Sequence, residues 1–294
     1  MSSSAVVILA LSLGAEPPAY PRADLLLEAT QFAKPAVAEH YRILDARDRE
    51  DYDKGHVPAA VWVDEAAWSK AFAKGQDAED WARRIGALGI DPDTPTVVYG
   101  KATTTQAARI WWILHYWGLK NVRLLNGGWH AWTDEHGRVV SDVPTVTPLA
   151  PHLMRHSDRL ATRSDVEKGI KGSGFQLLDA RSDAEYCGRT RMARRAGAIP
   201  RSVHLEWVNV IDPHTERFKS AEQLAELFRR AHVDLDTPLV THCQSGGRAA
   251  VLAFALELMG AHQVRNYYRG WSEWGNTPNA PIVVPKSSKE PRTK

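Results

Sequence analysis

The clearest chemical potential in this sequence lies in a cysteine followed five positions later by an arginine. Cys243 and Arg248 bound the hexapeptide CQSGGR, which follows the apolar strand pattern LVTH and precedes an apolar helical segment. A turn between a strand and a helix directs backbone N–H groups into one concavity, and the helix dipole adds positive potential there. Both effects stabilise an anion, and the thiolate is the nucleophilic form of cysteine. The pattern therefore predicts a nucleophilic thiol at the rim of an anion-binding loop.

The other residues of the loop favour the same prediction. Two glycines let the backbone curl without Cβ clashes, and Arg248 supplies a guanidinium fork that suits an oxyanion. The alternative is a cysteine buried for packing, because cysteine is among the most buried residue types. The strand before it, the glycines and the arginine together favour the nucleophile. We expect these loop residues to bind the substrate: Gln244, Ser245, Gly246, Gly247 and Arg248.

Internal similarity shows that the chain is a duplication. The sequence ILDAR at 43–47 returns as LLDAR at 177–181, and GWHAW at 128–132 returns as GWSEW at 270–274. The offset grows from 134 to 142, so the second copy has gained eight residues between Arg181 and Gly197.

Only the second copy carries the nucleophile. At the offset of 142, Cys243 aligns with Lys101 and Arg248 aligns with Gln106, although the strand pattern VVYG before this position is kept. We therefore expect the first copy to be inactive, and to serve by covering one face of the second copy and forming one wall of the cleft.

Each copy alternates short apolar strands with helical segments, which is typical of an α/β domain with a mostly parallel sheet flanked by helices. The length of 294 residues also favours two domains. We predict one domain at 22–140 and a catalytic domain at 155–280, joined by a linker at 141–154 that contains three prolines. The polar, basic tail at 281–294 is predicted to be disordered. Local patterns predict strands at 96–99, 122–125 and 239–242, and helices at 106–117 and 248–259.

Composition excludes several classes of protein. A charged fraction of 24% and a hydrophobic fraction of 44% fit a globular protein, and a net charge of +2 gives no general attraction to nucleic acid. The apolar run at 5–15 is too short to span a bilayer. It has the length of a signal-peptide core, yet no Lys or Arg precedes it. Residues 1–21 are thus either a signal for export to the periplasm or a disordered or first-strand segment of a cytoplasmic protein.

The two cysteines, Cys187 and Cys243, allow one bridge but no disulfide framework. We interpret Cys187 as a surface or packing thiol, with a resolving role as the alternative. No cluster of Cys and His has zinc spacing, and neither a G-x-G-x-x-G nor a P-loop pattern is present. The sequence therefore predicts neither a metal nor a nucleotide cofactor.

Four motifs occur in one order from about Arg22 to Pro278, most of them twice. They are DAR after an apolar strand, G-x-I-P-x-x-V, CQSGGR and GWxxW. In these motifs the chain resembles the tandem rhodanese family of thiosulfate and 3-mercaptopyruvate sulfurtransferases, in which one domain is active. The resemblance implies that Cys243 takes the outer sulfur of a small anionic donor, holds it as a persulfide and passes it to a thiophilic acceptor. It implies no cofactor and no nucleic-acid or membrane partner, and it leaves a protein acceptor unidentified.

The resemblance leaves the donor open. Mercaptopyruvate-specific relatives have a CGSGVT-like loop and a Ser-His-Asp relay. Ser245 matches the serine and Asp64 the aspartate, but 65–82 contains no histidine. We therefore expect thiosulfate, with 3-mercaptopyruvate as the alternative. A persulfide carrier without free turnover is a second alternative.

Two further questions concern arginines. Arg181 either forms a buried ion pair with Asp179 or contacts the donor. Vertebrate thiosulfate enzymes carry an arginine where this chain has Glu185, which leaves open how the sulfonate end is held. Phosphatases and arsenate reductases that share the scaffold have a C-x5-R loop, whereas Cys243 to Arg248 is C-x4-R. The shorter loop favours sulfur over phosphorus.

Overall fold

A computed structural model of the protein describes residues 19–172 and 174–286. The apolar run at 5–15 and the last eight residues of the tail, 287–294, lie outside the described residues. Within the described ranges, no helix has the length and apolar character needed to cross a membrane.

Two parallel sheets form the framework, one from each copy of the repeat. The strands are β1 (Leu26–Glu28), β2 (Arg42–Asp45), β3 (Val61–Trp62), β4 (Thr96–Tyr99), β5 (Val122–Asn126), β6 (Gln176–Asp179), β7 (Val203–His204), β8 (Leu239–His242) and β9 (Val264–Tyr267). The first sheet has the order β1-β5-β4-β2-β3 and the second the order β7-β6-β8-β9. All pairings within the sheets are parallel, as predicted. In the second copy, the position that corresponds to β1 lies within the described residues and holds no strand. Leu160 forms a single parallel bridge with Asn266 there.

Helices flank both sheets, which confirms the predicted fold class. They are α1 (Ala29–Phe32), α2 (Pro35–Ala38), α3 (Arg49–Lys54), α4 (Glu65–Lys74), α5 (Ala78–Gly86), α6 (Thr105–Tyr116), α7 (Gly128–Asp134), α8 (Arg163–Gly169), α9 (Asp183–Tyr186), α10 (Ala221–Arg230), α11 (Gly247–Leu258) and α12 (Gly270–Trp274). Short 3-10 segments lie at Ala23–Leu25, Ser157–Arg159 and Trp207–Val210. Helices α6 and α11 each begin and end one residue before the predicted positions.

One hydrophobic cluster contains residues of both copies, and each copy also has a smaller cluster of its own. Helices α6 and α11, which follow equivalent strands, pack on each other. The rings of Trp111 and Phe254 meet edge to face there, with 4.8 Å between their centroids. The ring of Tyr268, in the second copy, packs on two rings of the first copy. Its centroid lies 4.7 Å from that of Phe72 and 5.5 Å from that of Trp112. Because α11 is covered by both its own sheet and the other copy, it can be apolar over most of its surface.

The ends of the chain are tied to the second copy. The Arg22 N–H donates to the Leu258 carbonyl at 3.0 Å. The predicted disorder of the tail is wrong for its first residues, because Val283 exchanges backbone hydrogen bonds with Ala198 at 2.8 and 3.0 Å. The first copy has the same antiparallel bridge, between His56 and Val140. The predicted linker at 141–154, all of it described, contains neither helix nor strand.

Candidate active site

The cysteine loop lies at the carboxyl edge of the second sheet, between β8 and α11. Gly246 adopts a positive φ of 87°, which turns its N–H toward the sulfur, and this N–H donates to Cys243 Sγ at 3.1 Å. Cys243 is only 1% exposed. The sequence-based expectation of a thiol at the rim is therefore wrong: Cys243 is buried, and the backbone of its own loop contacts the sulfur.

Four consecutive carbonyls of the loop, from Cys243 to Gly246, accept hydrogen bonds from outside it. A trans peptide holds its N–H opposite to its C=O, so these bonds turn the N–H groups of the same peptides toward the interior of the loop. The donors, in chain order of the carbonyls, are the Trp271 N–H (2.8 Å), the Ser272 N–H (3.0 Å), the Arg109 guanidinium (2.5 Å) and the Asn266 side-chain amide (3.0 Å).

Arg248 closes the loop, but it is already paired. Its Nη1 and Nη2 donate to the two carboxylate oxygens of Glu185 at 2.5 and 2.9 Å. Burial alone would lower the pKa of Arg248, but Glu185 and the nearby Cys243 sulfur raise it. Burial alone would raise the pKa of Glu185, but Arg248 holds it below its usual value. The guanidinium predicted to bind an oxyanion thus has one carboxylate beside it, a contact that the sequence did not reveal.

Arg181 lies in a buried ion pair and not in an open site. It is 1% exposed and bonds both oxygens of Asp179, and its Nη2 donates to the Gly197 carbonyl at 2.9 Å. Arg47 of the first copy bonds Asp45 and the Gly55 carbonyl in the same way. Because the copy without a nucleophile keeps this arrangement, the geometry favours the ion-pair alternative over direct contact with a donor.

The rim of the loop is formed by its remaining side chains and by the segment that the second copy has gained. Ser245 is exposed, and Gln244 is half-buried. The Gln244 side-chain amide donates to the Met192 carbonyl at 3.0 Å, which joins the loop to the gained segment. Arg195 anchors that segment by donating to the carbonyls of Pro278 and Ala280 at 3.0 and 2.8 Å.

Two further side chains with reactive potential, Cys187 and His242, are both buried. Cys187 is free, like Cys243, and its Sγ lies 3.6 Å from Asp183 Oδ1; burial and then Asp183 raise the pKa of its thiol. His242 lies 3.5 Å from Asp179, and burial lowers its pKa to about 4, so the imidazole is neutral at pH 7. Both placements agree with packing roles.

One residue at the site was missed entirely in the sequence: Arg109 of α6, in the first copy. Its Nη1 donates to the Ser245 carbonyl and to the Tyr268 hydroxyl at 2.5 and 2.8 Å, and its Nε forms an ion pair with Glu65. At the repeat offset it aligns with Val251, so the duplication gave no hint. The available signal was a single arginine within the otherwise apolar run RIWWIL.

Comparison with known proteins identifies the family. The rhodanese-like domain family matches the chain twice, at 28–135 and 162–277. A putative thiosulfate sulfurtransferase of Haloferax volcanii is 31% identical over 261 residues, which cover 82% of this chain and 88% of the relative. The sulfur carrier protein TtuD of Thermus thermophilus is 34% identical over 248 residues, covering 79% and 86%.

A solved structure extends the likeness to three dimensions. SseA from Escherichia coli, described as having the rhodanese fold, superposes with a TM-score of 0.72 at 24% identity, over 84% of this chain and 98% of that one. The family matches cover both copies of the repeat, and the relatives align over most of their length. The chain is a member of the rhodanese-like family, with two copies of the domain.

Proposed function

We propose that the protein is a sulfurtransferase that carries a sulfane sulfur on Cys243 and takes it from thiosulfate. The observation that carries this proposal is the hydrogen bond from the Gly246 N–H to the Cys243 sulfur, within a loop whose carbonyls face outward. A loop with inward N–H groups stabilises a thiolate before reaction and an anionic persulfide after it.

The reaction has two steps. In the first, the Cys243 thiolate attacks the outer sulfur of thiosulfate, the S–S bond of the donor breaks, and sulfite leaves with the electron pair. In the second, a thiolate or cyanide acceptor attacks the terminal sulfur of the persulfide, and the Cys243 thiolate is regenerated. The substrate-binding role that we assign to the loop residues is to hold the anionic sulfur through backbone N–H groups.

Arg248 retains capacity for a donor while it is paired. A guanidinium has five N–H groups, and Glu185 accepts from two of them. The remaining N–H groups can bind sulfonate oxygens, and the partly exposed side chain is reachable from the loop. Glu185 reduces the net positive charge at this place, so donor binding depends on the backbone more than on Arg248 alone.

Two alternatives lead to different measurements. For 3-mercaptopyruvate, the expected relay lacks a histidine, and the Asp64 carboxylate caps α4 by accepting the Ala67 N–H at 2.9 Å. Because the Asp64 carboxylate is engaged in this helix cap, the structure supports thiosulfate as the donor over 3-mercaptopyruvate. For a persulfide carrier, support comes from the name of the Thermus thermophilus relative, and the acceptor would then be a protein.

Intact-mass analysis tests the proposal. After thiosulfate, the protein should gain roughly 32 Da, the mass of one sulfur in a persulfide, and cyanide should remove it with repeated turnover to thiocyanate. Cys243→Ser should abolish the gain, and Cys187→Ser, which removes the other thiol, should not. A gain only after 3-mercaptopyruvate would replace the donor, and a stoichiometric gain without turnover would indicate a carrier.

Export is a separate proposal that rests on residues 5–15 alone. A cleavage after Ala15 would leave Glu16 as the first residue. The mass of the protein isolated from its native cells tests this proposal. A mass that includes residues 1–15 would show that no cleavage occurs after Ala15.

A further inference from the structure

Arg109 crosses from the first copy to the nucleophile loop of the second. It starts from α6, and its guanidinium donates to the Ser245 carbonyl at 2.5 Å. Its side chain is 11% exposed, and it pairs with Glu65 of α4. Burial alone would lower the pKa of Arg109, but Tyr268, Glu65 and the Cys243 sulfur raise it. The first copy thus places a cation beside the loop although it has no nucleophile of its own.

The Ser245 carbonyl and the Gly246 N–H belong to the same peptide unit. Arg109 binds the oxygen end of this unit, and the Cys243 sulfur accepts from the N–H end at 3.1 Å. Because the unit is planar, fixing the direction of the carbonyl also fixes the direction of the N–H. A charged donor on the oxygen further polarises the peptide and strengthens its N–H as a donor.

The guanidinium is held on several sides, so it cannot follow the loop if the loop moves. Its Nη1 also donates to the Tyr268 hydroxyl at 2.8 Å, and its carbon lies 5.4 Å from the centre of the Tyr268 ring. Gly247 gives it room, because a Cβ at this position would come within 2.5 Å of Arg109 Nη2. The arrangement is that of a rigid support behind the loop.

We propose that Arg109 is a positioning residue for Cys243: it sets the Gly246 N–H on the sulfur from the far side of the Ser245–Gly246 peptide. This deepens the proposed function, since the same N–H would stabilise the persulfide. The first copy is then more than a wall of the cleft, because it completes the nucleophile's environment. Two of the charged groups near the sulfur are Arg109 and Arg248, with Glu65 and Glu185 as their partners.

The chain offers a matched control in Arg159. Like Arg109, it pairs with a carboxylate, here the buried Glu257, and its guanidinium carbon lies over an aromatic ring, here 5.5 Å from the centre of the Trp111 ring. Its side chain is 18% exposed, and none of its described contacts is with the cysteine loop. Arg159→Met therefore removes a comparable ion pair, which lies within the second copy, without touching the Ser245–Gly246 peptide.

The readout is the rate at which iodoacetamide alkylates Cys243, followed by peptide mass analysis that separates it from Cys187. Iodoacetamide is neutral, so loss of a cation does not weaken its binding as it would for thiosulfate. At pH 6 we expect iodoacetamide to alkylate Cys243 about tenfold more slowly in Arg109→Met than in the wild type. This is the loss expected when a charge-assisted hydrogen bond is removed. Arg109→Lys should recover only part of the rate, because an ammonium keeps the charge but not the fork.

In Arg159→Met, Cys243 should be alkylated at the wild-type rate, even if the thermal unfolding temperature of this variant falls. Equal rates for Arg109→Met and the wild type, or equal losses in the Arg109 and Arg159 variants, would overturn the inference. If Arg109→Met does not fold, Arg109→Lys is compared with Arg159→Lys by the same criterion. Alkylation needs no sulfur donor, so a wild type that fails to transfer sulfur would refute the proposed function and leave this comparison valid.

Discussion

Gly246→Ala tests whether the shape of the loop, and not only the thiol, is required. Gly246 has a φ of 87°, and a Cβ there would lie 2.5 and 2.8 Å from two carbons of the Tyr268 ring. Tyr268 cannot yield easily, because it is buried against Phe72 and Trp112. The loop must therefore open, and the Gly246 N–H must move away from the Cys243 sulfur.

The expected cost has two parts. A left-handed conformation costs a residue with a Cβ about 1–2 kcal/mol, and overlap with a fixed ring adds about 1–3 kcal/mol of overpacking. The first part lowers stability only. The second displaces a hydrogen-bond donor to an anion, which typically lowers a rate by about 10²–10³-fold. We expect the rate of persulfide formation to fall by that factor.

Gly260→Ala is the matched control. Gly260 has a similar φ of 96°, but among residues 19–172 and 174–286 its Cβ would meet only Pro21, at an ordinary 3.5 Å. Both variants should unfold at lower temperature than the wild type, whereas only Gly246→Ala should form the persulfide slowly by time-resolved intact mass. A Gly246→Ala variant that accepts sulfur at the wild-type rate would refute the role given to the loop's N–H groups.

The remaining predictions concern charge. Arg248→Ala should lower kcat/KM for thiosulfate by about 10²–10³-fold; an unchanged value would remove Arg248 from the site. Lys101→Ala should change thiosulfate turnover little, and a large loss would mean that the first copy takes part in catalysis. Burial opposes ionisation of Asp179, yet Arg181 helps to hold its pKa at about 2, below the usual 3.8. The stability that this adds, about 2 kcal/mol, is complete above about pH 4 and is lost as the pH falls through 2. Urea unfolding from pH 5 to pH 2 should show this loss in the wild type, and it should be absent in Asp179→Asn.

Local pattern sufficed for the framework of the fold. Strand β8 coincides with the predicted 239–242, and β4 with 96–99, because apolar runs bounded by turn residues are a local signal. The repeat then supplied the two-domain architecture without any contact information. The order of the motifs in the chain was enough to indicate the family.

The site depended on contacts that local pattern does not encode. Glu185 reaches Arg248 across 63 residues, and Arg109 reaches Ser245 across 136. Neither pair follows a helix or strand period, so spacing could not reveal them. The burial of Cys243 has the same origin, because it depends on how the chain folds back over the sulfur.

For Arg181 the sequence left two alternatives, and the duplication helped to choose between them. The ion pair at Arg47 repeats its geometry in a copy whose loop has no thiol. A contact kept where no chemistry occurs is most simply a structural one. Comparison between the two copies is thus informative wherever one copy has lost a function.

The helix pairing at the centre of the molecule has a consequence for how the duplication could evolve. Because α11 is apolar over most of its surface and packs on α6, separation of the two halves of the chain would expose Phe254 and its neighbours to water. The first half can therefore lack a nucleophile without loss of the fold, but the fold does not tolerate deletion of that half. The two copies therefore depend on each other: the second holds the reactive sulfur, and the first covers the apolar helix of the second.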